Sequence, residues 1–305
     1  MIIFLDLKGR KKVKKGQIVQ SLSGYYDVQA NGTIFRTRAR GNFRNKKTSP
    51  LVGDWVEFKA DNEKEGYLLK ILKRKNRLVR PPVANVDCGI VVTACKEPQF
   101  SANLLDRQLL MLENNNISPF IYFSKADLLS KEERPDFLSL VNSYQKLYSS
   151  YIADKDDPGG LRTDFLGKIH SKVIVVMGQT GAGKSTFLNL VDPSLKLETA
   201  QISKALSRGK HTTRKVTLRK IQDNLIADTP GFSSFEIMNV TKEELPLLYP
   251  EFLQLRDKCK YRGCLHLKEP GCAVKDAYQN GDLLASRYEN YVLFQDEIAK
   301  RKPKY

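Results

Sequence analysis

Val173-Ile174-Val175-Val176-Met177-Gly178-Gln179-Thr180-Gly181-Ala182-Gly183-Lys184-Ser185-Thr186 is an apolar run that feeds a glycine-rich turn and then a helical pattern, Phe187-Leu188-Asn189-Leu190. A strand, a loop and a helix in that order make a phosphate cradle. Glycines at 178, 181 and 183 let backbone N–H groups, those of Gln179, Thr180 and Ala182 among them, close around a β-phosphate. The helix N-terminus adds its positive end, and Lys184 supplies a point charge to the β and γ oxygens. Ser185 is placed to coordinate magnesium, with Thr186 beside it. A chance glycine-rich turn is the competing reading, and the correct flanks on both sides weigh against it.

Two further signals lie on either side of this loop. Downstream, the short apolar strand Leu225-Ile226-Ala227 ends in Asp228-Thr229-Pro230-Gly231. An aspartate at a strand end can hold magnesium through water, and the Gly231 N–H can reach a γ-phosphate. Between the two motifs, Arg208-Gly209-Lys210-His211-Thr212-Thr213-Arg214 has the composition of a switch loop. One of its threonines completes the metal shell, with Thr213 favoured over Thr212. Upstream, Phe120-Ile121-Tyr122-Phe123 leads into Ser124-Lys125-Ala126-Asp127. The Asp127 carboxylate can accept from the ring N–H and the exocyclic amine of guanine, a donor pair that adenine lacks. Alone, this tetrapeptide reads more readily as a solvated turn; beside a phosphate loop it reads as the base-selecting segment. In an ordinary GTPase the base-reading segment comes last. Here it comes first, so the domain is cut open elsewhere and rejoined.

Cys259-x4-Cys264-x-His266-x5-Cys272 gathers three thiols and one imidazole. Soft ligands, a count of four and short spacing suit a closed tetrahedral zinc site that fixes a small fold. Disulfides fit less well, because no secretory signal is evident at Met1. The remaining Cys88 and Cys95 read as small core residues.

The formal net charge of +17 is uneven. Residues 1–80 carry 20 Lys and Arg against 7 Asp and Glu, residues 81–254 carry 20 of each, and residues 255–305 carry 11 against 7. Basic flanks around a neutral centre imply a polyanion such as RNA, attached in a salt-dependent way. The run Lys8 to Lys15 reads equally as a solvated tail. After Gly16, alternating stretches at Tyr25–Val28, Thr33–Thr37, Trp55–Phe58 and Tyr67–Ile71, separated by turn residues, suit a five-stranded OB-fold. Arg36, Arg38, Arg40, Arg44, Lys46 and Lys47 cluster around one hairpin as the expected RNA contacts. Trp55, Phe58 and most tyrosines are expected in the core rather than stacked on bases. Asp282 to Lys302 has helical periodicity. No apolar stretch approaches the length of a membrane span. Reduced thiols point to the cytoplasm.

Val52-Gly53-Asp54-Trp55-Val56, Arg77 to Asp87, Leu105-Asp106-Arg107, Ser124 to Asp127, Gly178 to Thr186, Gly209 to Thr213, Asp228 to Phe232 and the cysteine cluster together resemble the RsgA/YjeQ group. These are bacterial circularly permuted GTPases that act on the small ribosomal subunit, and the resemblance covers nearly the whole chain. It implies a multidomain α/β protein: an OB-fold β-barrel over residues 1–76, a circularly permuted P-loop GTPase domain over 77–242, and a zinc-binding, mostly helical domain over 243–305. It also implies a cytoplasmic monomer that binds the 30S subunit and its rRNA late in assembly. That protein hydrolyses GTP with strong stimulation when docked and leaves with GDP. Phe232 stands where many regulatory GTPases place a water-orienting glutamine, so His211, which the resembling family carries in the same setting, is the candidate for that role. Ser124 replaces the usual asparagine or threonine. Of Tyr151-Ile152-Ala153, only Ala153 matches the segment that offers an N–H to the guanine oxygen. Gly181 replaces the asparagine of potassium-activated relatives, so no monovalent cation is expected. Two other classes remain open on sequence: a metabolic P-loop enzyme such as a kinase, which would accept ATP, and an RNA-binding module that holds GTP without hydrolysing it.

Overall fold

The computed structural model describes residues 13–39, 43, 48–153, 172–197, 216–221, 223–228 and 240–301. Contacts divide the chain into two compact units. One comprises Met1–Gly89, Arg162–Val176 and Leu188–Phe232, and the other Ile90–Leu161, Met177–Phe187 and Ser233–Tyr305.

The first unit holds the barrel. Strands β1 (Lys14–Leu22), β2 (Tyr25–Ala30), β3 (Thr33–Ala39), β4 (Trp55–Ala60) and β5 (Gly66–Ile71) follow the order β2-β3-β5-β4-β1, and β1 pairs back onto β2 to close the ring. All pairs are antiparallel except β3 with β5. Period-two alternation sends Ile18, Val28, Phe35, Val56, Phe58 and Leu68 inward, and the Phe35 and Phe58 rings meet at 5.4 Å. Asn31 and Gly32, both at positive φ, form the two-residue turn between β2 and β3 that matches strand twist. Lys14 and Lys15 begin β1, so that end of the basic run is strand rather than tail. Trp55, expected in the core, is 49% exposed. Alternation along β4 buries Val56 and Phe58, which turns residue 55 outward whatever its hydrophobicity.

Beyond the barrel, β1 pairs antiparallel with β10 (Val216–Ile221) through Gln20 with Thr217 and Ser21 with Val216. Strand β10 forms a hairpin with β11 (Asn224–Asp228), and β11 runs parallel to β9 (Val173–Met177), which is buried at every residue as parallel strands are. The marked stretches around Trp55 and Arg77–Asp87 are cross-braced. The Arg74 fork clasps the buried Asp54 carboxylate at 2.7 and 2.8 Å, and Asn85 Nδ2 donates to the Gly53 carbonyl at 2.9 Å. Asp87 Oδ2 accepts from the Val173 N–H at 2.9 Å.

The second unit carries β6 (Cys88–Ala94), β7 (Ser118–Ser124) and β8 (Ser149–Ile152) in that order, with β7 and β8 parallel. Helix α1 (Ala102–Asn114) is capped by Ser101 Oγ, which accepts from the Leu104 N–H. Next in the chain come α2 (Glu133–Gln145) and α3 (Lys184–Val191). The C-terminal part folds α4 (Pro250–Leu255), α5 (Ala273–Gln279) and α6 (Ala285–Ala299) around Leu245, Tyr249, Phe252, Val274, Tyr291 and Phe294. Helix α6 lies within the expected helical stretch and packs against α1. There the Leu105-Asp106-Arg107 motif finds its purpose, since Arg107 forks onto Glu297 and lies over the Phe294 ring at 4.4 Å. Asp106 is clasped by the buried Arg287 at 2.8 Å. Among the described residues, no helix is long and apolar enough to cross a membrane.

Candidate functional site

The glycine-rich loop leaves β9 at Gly178. This residue has φ +147°, and a Cβ there would meet the Val92 carbonyl oxygen at 2.1 Å, so only glycine fits between loop and strand β6. The loop turns into α3 at Lys184, whose ammonium folds back to donate to the Gly178 and Gln179 carbonyls, each at 2.8 Å. Gln179, Thr180, Gly181 and Thr186 are exposed, Gly183 and Ser185 half-buried, and Ala182 buried. Burial pushes the Lys184 amine down to about 8. A phosphate set against it must therefore bring a proton with it above that pH. Nucleotide affinity is expected to be flat below about pH 8 and to fall by up to about tenfold per unit above it. Titration of a fluorescent GTP analogue between about pH 7 and pH 9 checks this slope.

The inverted motifs meet. Ser124, the last residue of β7, donates from its hydroxyl to the Ala182 carbonyl inside the glycine-rich loop at 2.6 Å. Serine in place of asparagine or threonine thus still braces the two segments. Below this bond, the Tyr122 ring meets Phe187 of α3 at 4.8 Å. Lys125 takes a left-handed conformation, φ +58°, and its ammonium donates to the Glu97 carbonyl. Ala126 is buried, and Asp127 stands exposed on a single 3-10 turn, Ala126–Leu128.

Ala153 requires a correction. Its N–H, expected to face the guanine oxygen, donates to the Phe123 carbonyl at 2.7 Å and so continues the β7–β8 ladder. A donor committed at that distance is not offered to a base. Asp228 ends β11, with its backbone opposite Thr217. His211, Thr212, Thr213, Gly231 and Phe232 lie outside the described residues, as do Arg40, Arg44, Lys46 and Lys47. Of the other expected RNA contacts, Arg36 is clasped by Asp27 at 2.9 and 3.1 Å, and Arg38 lies over the Tyr25 ring at 4.5 Å.

Cys259, Cys264, His266 and Cys272 converge, their ligand atoms all within 4.8 Å of one another. His266 Nδ1 is 3.3 Å from Cys272 Sγ and 3.7 Å from Cys259 Sγ. Metal–sulfur bonds of ~2.3 Å and metal–nitrogen bonds of ~2.0 Å give tetrahedral edges of roughly 3.5–3.8 Å, so the donor set fits one small ion. Burial pushes the Cys264 thiol up to about 12 and holds the His266 imidazole down in its neutral, ligating form. A thiolate at Cys264 therefore needs a cation beside it. Glu269 shapes the loop by accepting from the Leu265, Leu267 and Lys268 N–H groups at 2.9 to 3.0 Å. Cys88 and Cys95 are buried apart from this cluster, each pushed up to about 12 by burial, and behave as core residues.

A phosphate loop bonded to a base-reading turn that precedes it in the chain defines a circularly permuted GTPase. The solved structure of YloQ, described as a circularly permuted GTPase, superposes with a TM-score of 0.79 at 39% identity, covering 96% of this chain and 98% of that one. YjeQ from Thermotoga maritima superposes with a TM-score of 0.81 at 32% identity, covering 95% and 100%. The family model for the RsgA GTPase matches residues 71–238, and that for the RsgA N-terminal domain matches residues 15–68. The small ribosomal subunit biogenesis GTPase RsgA of Limosilactobacillus reuteri is 54% identical over 294 residues, 96% of this chain and 99% of its own. Its counterpart in Enterococcus faecalis is 50% identical over 95% of this chain. The chain belongs to the RsgA GTPase family, and its activity is GTP hydrolysis.

Proposed function

We propose that this GTPase acts late in biogenesis of the small (30S) ribosomal subunit, binding its rRNA, hydrolysing GTP when docked there and leaving with GDP. The observation that carries the reading is the near full-length identity to relatives named for that task. The basic barrel supports it, because a positive flank suits attachment to RNA phosphates. In this reading the modules are residues 1–76, 77–242 and 243–305, and the protein works as a cytoplasmic monomer.

Each residue then has a task. Gly178 to Thr186 wrap the β-phosphate, and Lys184 exchanges its two carbonyl partners for phosphate oxygens. Asp127 accepts the guanine donor pair, while Ser124 keeps its turn seated on the loop. Ser185 and Thr213, with Asp228 behind them, would hold magnesium, which would supply positive charge to the triphosphate. The Gly231 N–H senses the γ-phosphate, and His211 positions the attacking water. Cys259, Cys264, His266 and Cys272 hold one structural zinc. Arg36, Arg38, Arg40, Arg44, Lys46 and Lys47 form the RNA-facing hairpin.

Phosphate release from GTP, with and without purified small subunits at two salt concentrations, tests the whole. Strong stimulation that weakens as salt rises is expected, and no phosphate release at saturating subunits would leave only a GTP-holding RNA binder. His211→Ala should lose most of the stimulated rate with GTP affinity unchanged; full retention removes His211 from the chemistry. Asp127→Asn replaces one acceptor oxygen with an amide donor that opposes the exocyclic amine of guanine. GTP binding should fall about 10²-fold while xanthosine triphosphate, which offers an acceptor there, gains. Competition binding with the two nucleotides reads that switch.

A further inference from the structure

The first unit contains a cleft of about 450 Å³ lined by Trp55, Lys73, Arg74, Lys75, Asp87 and Lys172, with Val173 and Leu225 at its base. Those last two residues are opposite each other at the first rungs of β9 and β11. The phosphate loop and Asp228 follow the other ends of the same strands, so the cleft is separate from the GTP site. Its volume falls within the range of small-ligand sites.

Charge in the cleft is unbalanced in a specific way. Arg74 is neutralised by Asp54 at 2.7 Å, and Lys75 by Asp87 at 2.8 Å. Lys73 and Lys172 are exposed and have no carboxylate partner among the described residues. Beside these two ammonium groups stands Trp55, a large ring left 49% exposed by the pleat of β4. Its indole is held on a braced platform, since the Trp55 carbonyl accepts from the Leu72 N–H at 2.8 Å and its neighbour Asp54 is clasped by Arg74. An acidic peptide would satisfy the lysines but bring no flat partner for the indole. A nucleotide supplies both a phosphate and a π face, and base stacking on an aromatic side chain contributes ~1–3 kcal/mol per base.

We propose that this cleft takes a single unpaired nucleotide of an RNA strand, its base against Trp55 and its phosphate against Lys73 and Lys172. The site deepens the rRNA-binding reading and rests on it, adding to the hairpin arginines a contact that recognises an unstacked base rather than backbone charge alone. It also gives a role to the marked Val52–Val56 and Arg77–Asp87 stretches, which the GTP site does not use.

Trp55 is the only tryptophan in the chain, so its emission reports on this cleft alone. Full-length protein saturated with GDP is titrated with a dye-labelled uridine octamer, and anisotropy and tryptophan emission are read together. The expected result is quenching of Trp55 that follows the anisotropy curve, with little quenching by UMP at the same concentrations. In the double variant Lys73→Ala/Lys172→Ala the quenching midpoint should move to about tenfold more RNA, and the slope of log affinity against log salt should shrink by about 0.7, one single-strand phosphate contact. Octamer binding with unchanged Trp55 emission overturns the cleft and leaves the RNA reading of the barrel standing. Absence of octamer binding overturns both. Equal quenching by UMP overturns the RNA strand as the source, in favour of a free nucleotide.

Discussion

Arg287→Ala is expected to destabilise the protein by about 3–5 kcal/mol, because it removes the only cation, among the described residues, from a buried cluster of two carboxylates. Arg287 is 1% exposed and donates to Glu251 at 2.8 and 3.1 Å, to Asp106 at 2.8 Å and to the Tyr148 hydroxyl at 3.2 Å. Asp106, itself fully buried, also accepts from Tyr144 at 3.0 Å and from Asn290 at 2.7 Å. Burial raises the Asp106 carboxyl while the guanidinium draws it back down. Without the arginine, only the Asn290 and Tyr144 hydrogen bonds oppose burial, so the folded-state pKa stands further above the unfolded one. The variant's penalty is then smallest below the unfolded carboxylate range and grows as pH rises through the raised folded value. Urea denaturation of Arg287→Ala near pH 5 and near pH 8 checks the sign. Adding Asp106→Asn and Glu251→Gln should recover part of the loss at the higher pH, and failure to do so would mean that lost packing on Tyr249, rather than orphaned charge, sets the cost.

Stripping the metal from the Cys259–Cys272 loop should have the larger local effect. Structural zinc in small peptides contributes ~10–16 kcal/mol, and here the aromatic cluster of Tyr249, Phe252, Tyr288 and Tyr291 would add packing to what an ion supplies. The loop itself has few other anchors. Tyr288 donates to the His266 carbonyl at 2.7 Å and Tyr291 to the Leu265 carbonyl. Cys272→Ser, or a strong chelator, should abolish stoichiometric zinc, collapse the near-ultraviolet circular dichroism of these tyrosines and open residues 259–272 to protease. Full zinc content in Cys272→Ser would remove that thiol from the ligand set.

What the sequence disclosed tracks with how local each signal is. The phosphate loop was legible because strand, turn glycines and helix are contiguous, and four barrel strands were legible because their burial alternates with period two. The same alternation placed Trp55 outside, where hydrophobicity alone would have put it in. Strand β1 was hidden because its first residues belong to a lysine run. The Leu105-Asp106-Arg107 motif was visible, but its partners were not: Arg287 lies 181 positions from Asp106, and Glu297 lies 190 from Arg107. Ala153 matched a pattern of residue types, yet a backbone N–H is assigned by the neighbouring strand, which a single sequence does not reveal.

The two-rung splice of Ser21 to Val216 and Gln20 to Thr217 acts as a mechanical fuse. A slip of one residue would reverse every side chain of β10, turning the buried Leu218 out to water and the exposed Arg219 inward. Sliding is therefore closed off, and the barrel either travels with the strand that follows the His211–Thr213 segment or comes away from it entirely. Such a joint has no intermediate setting.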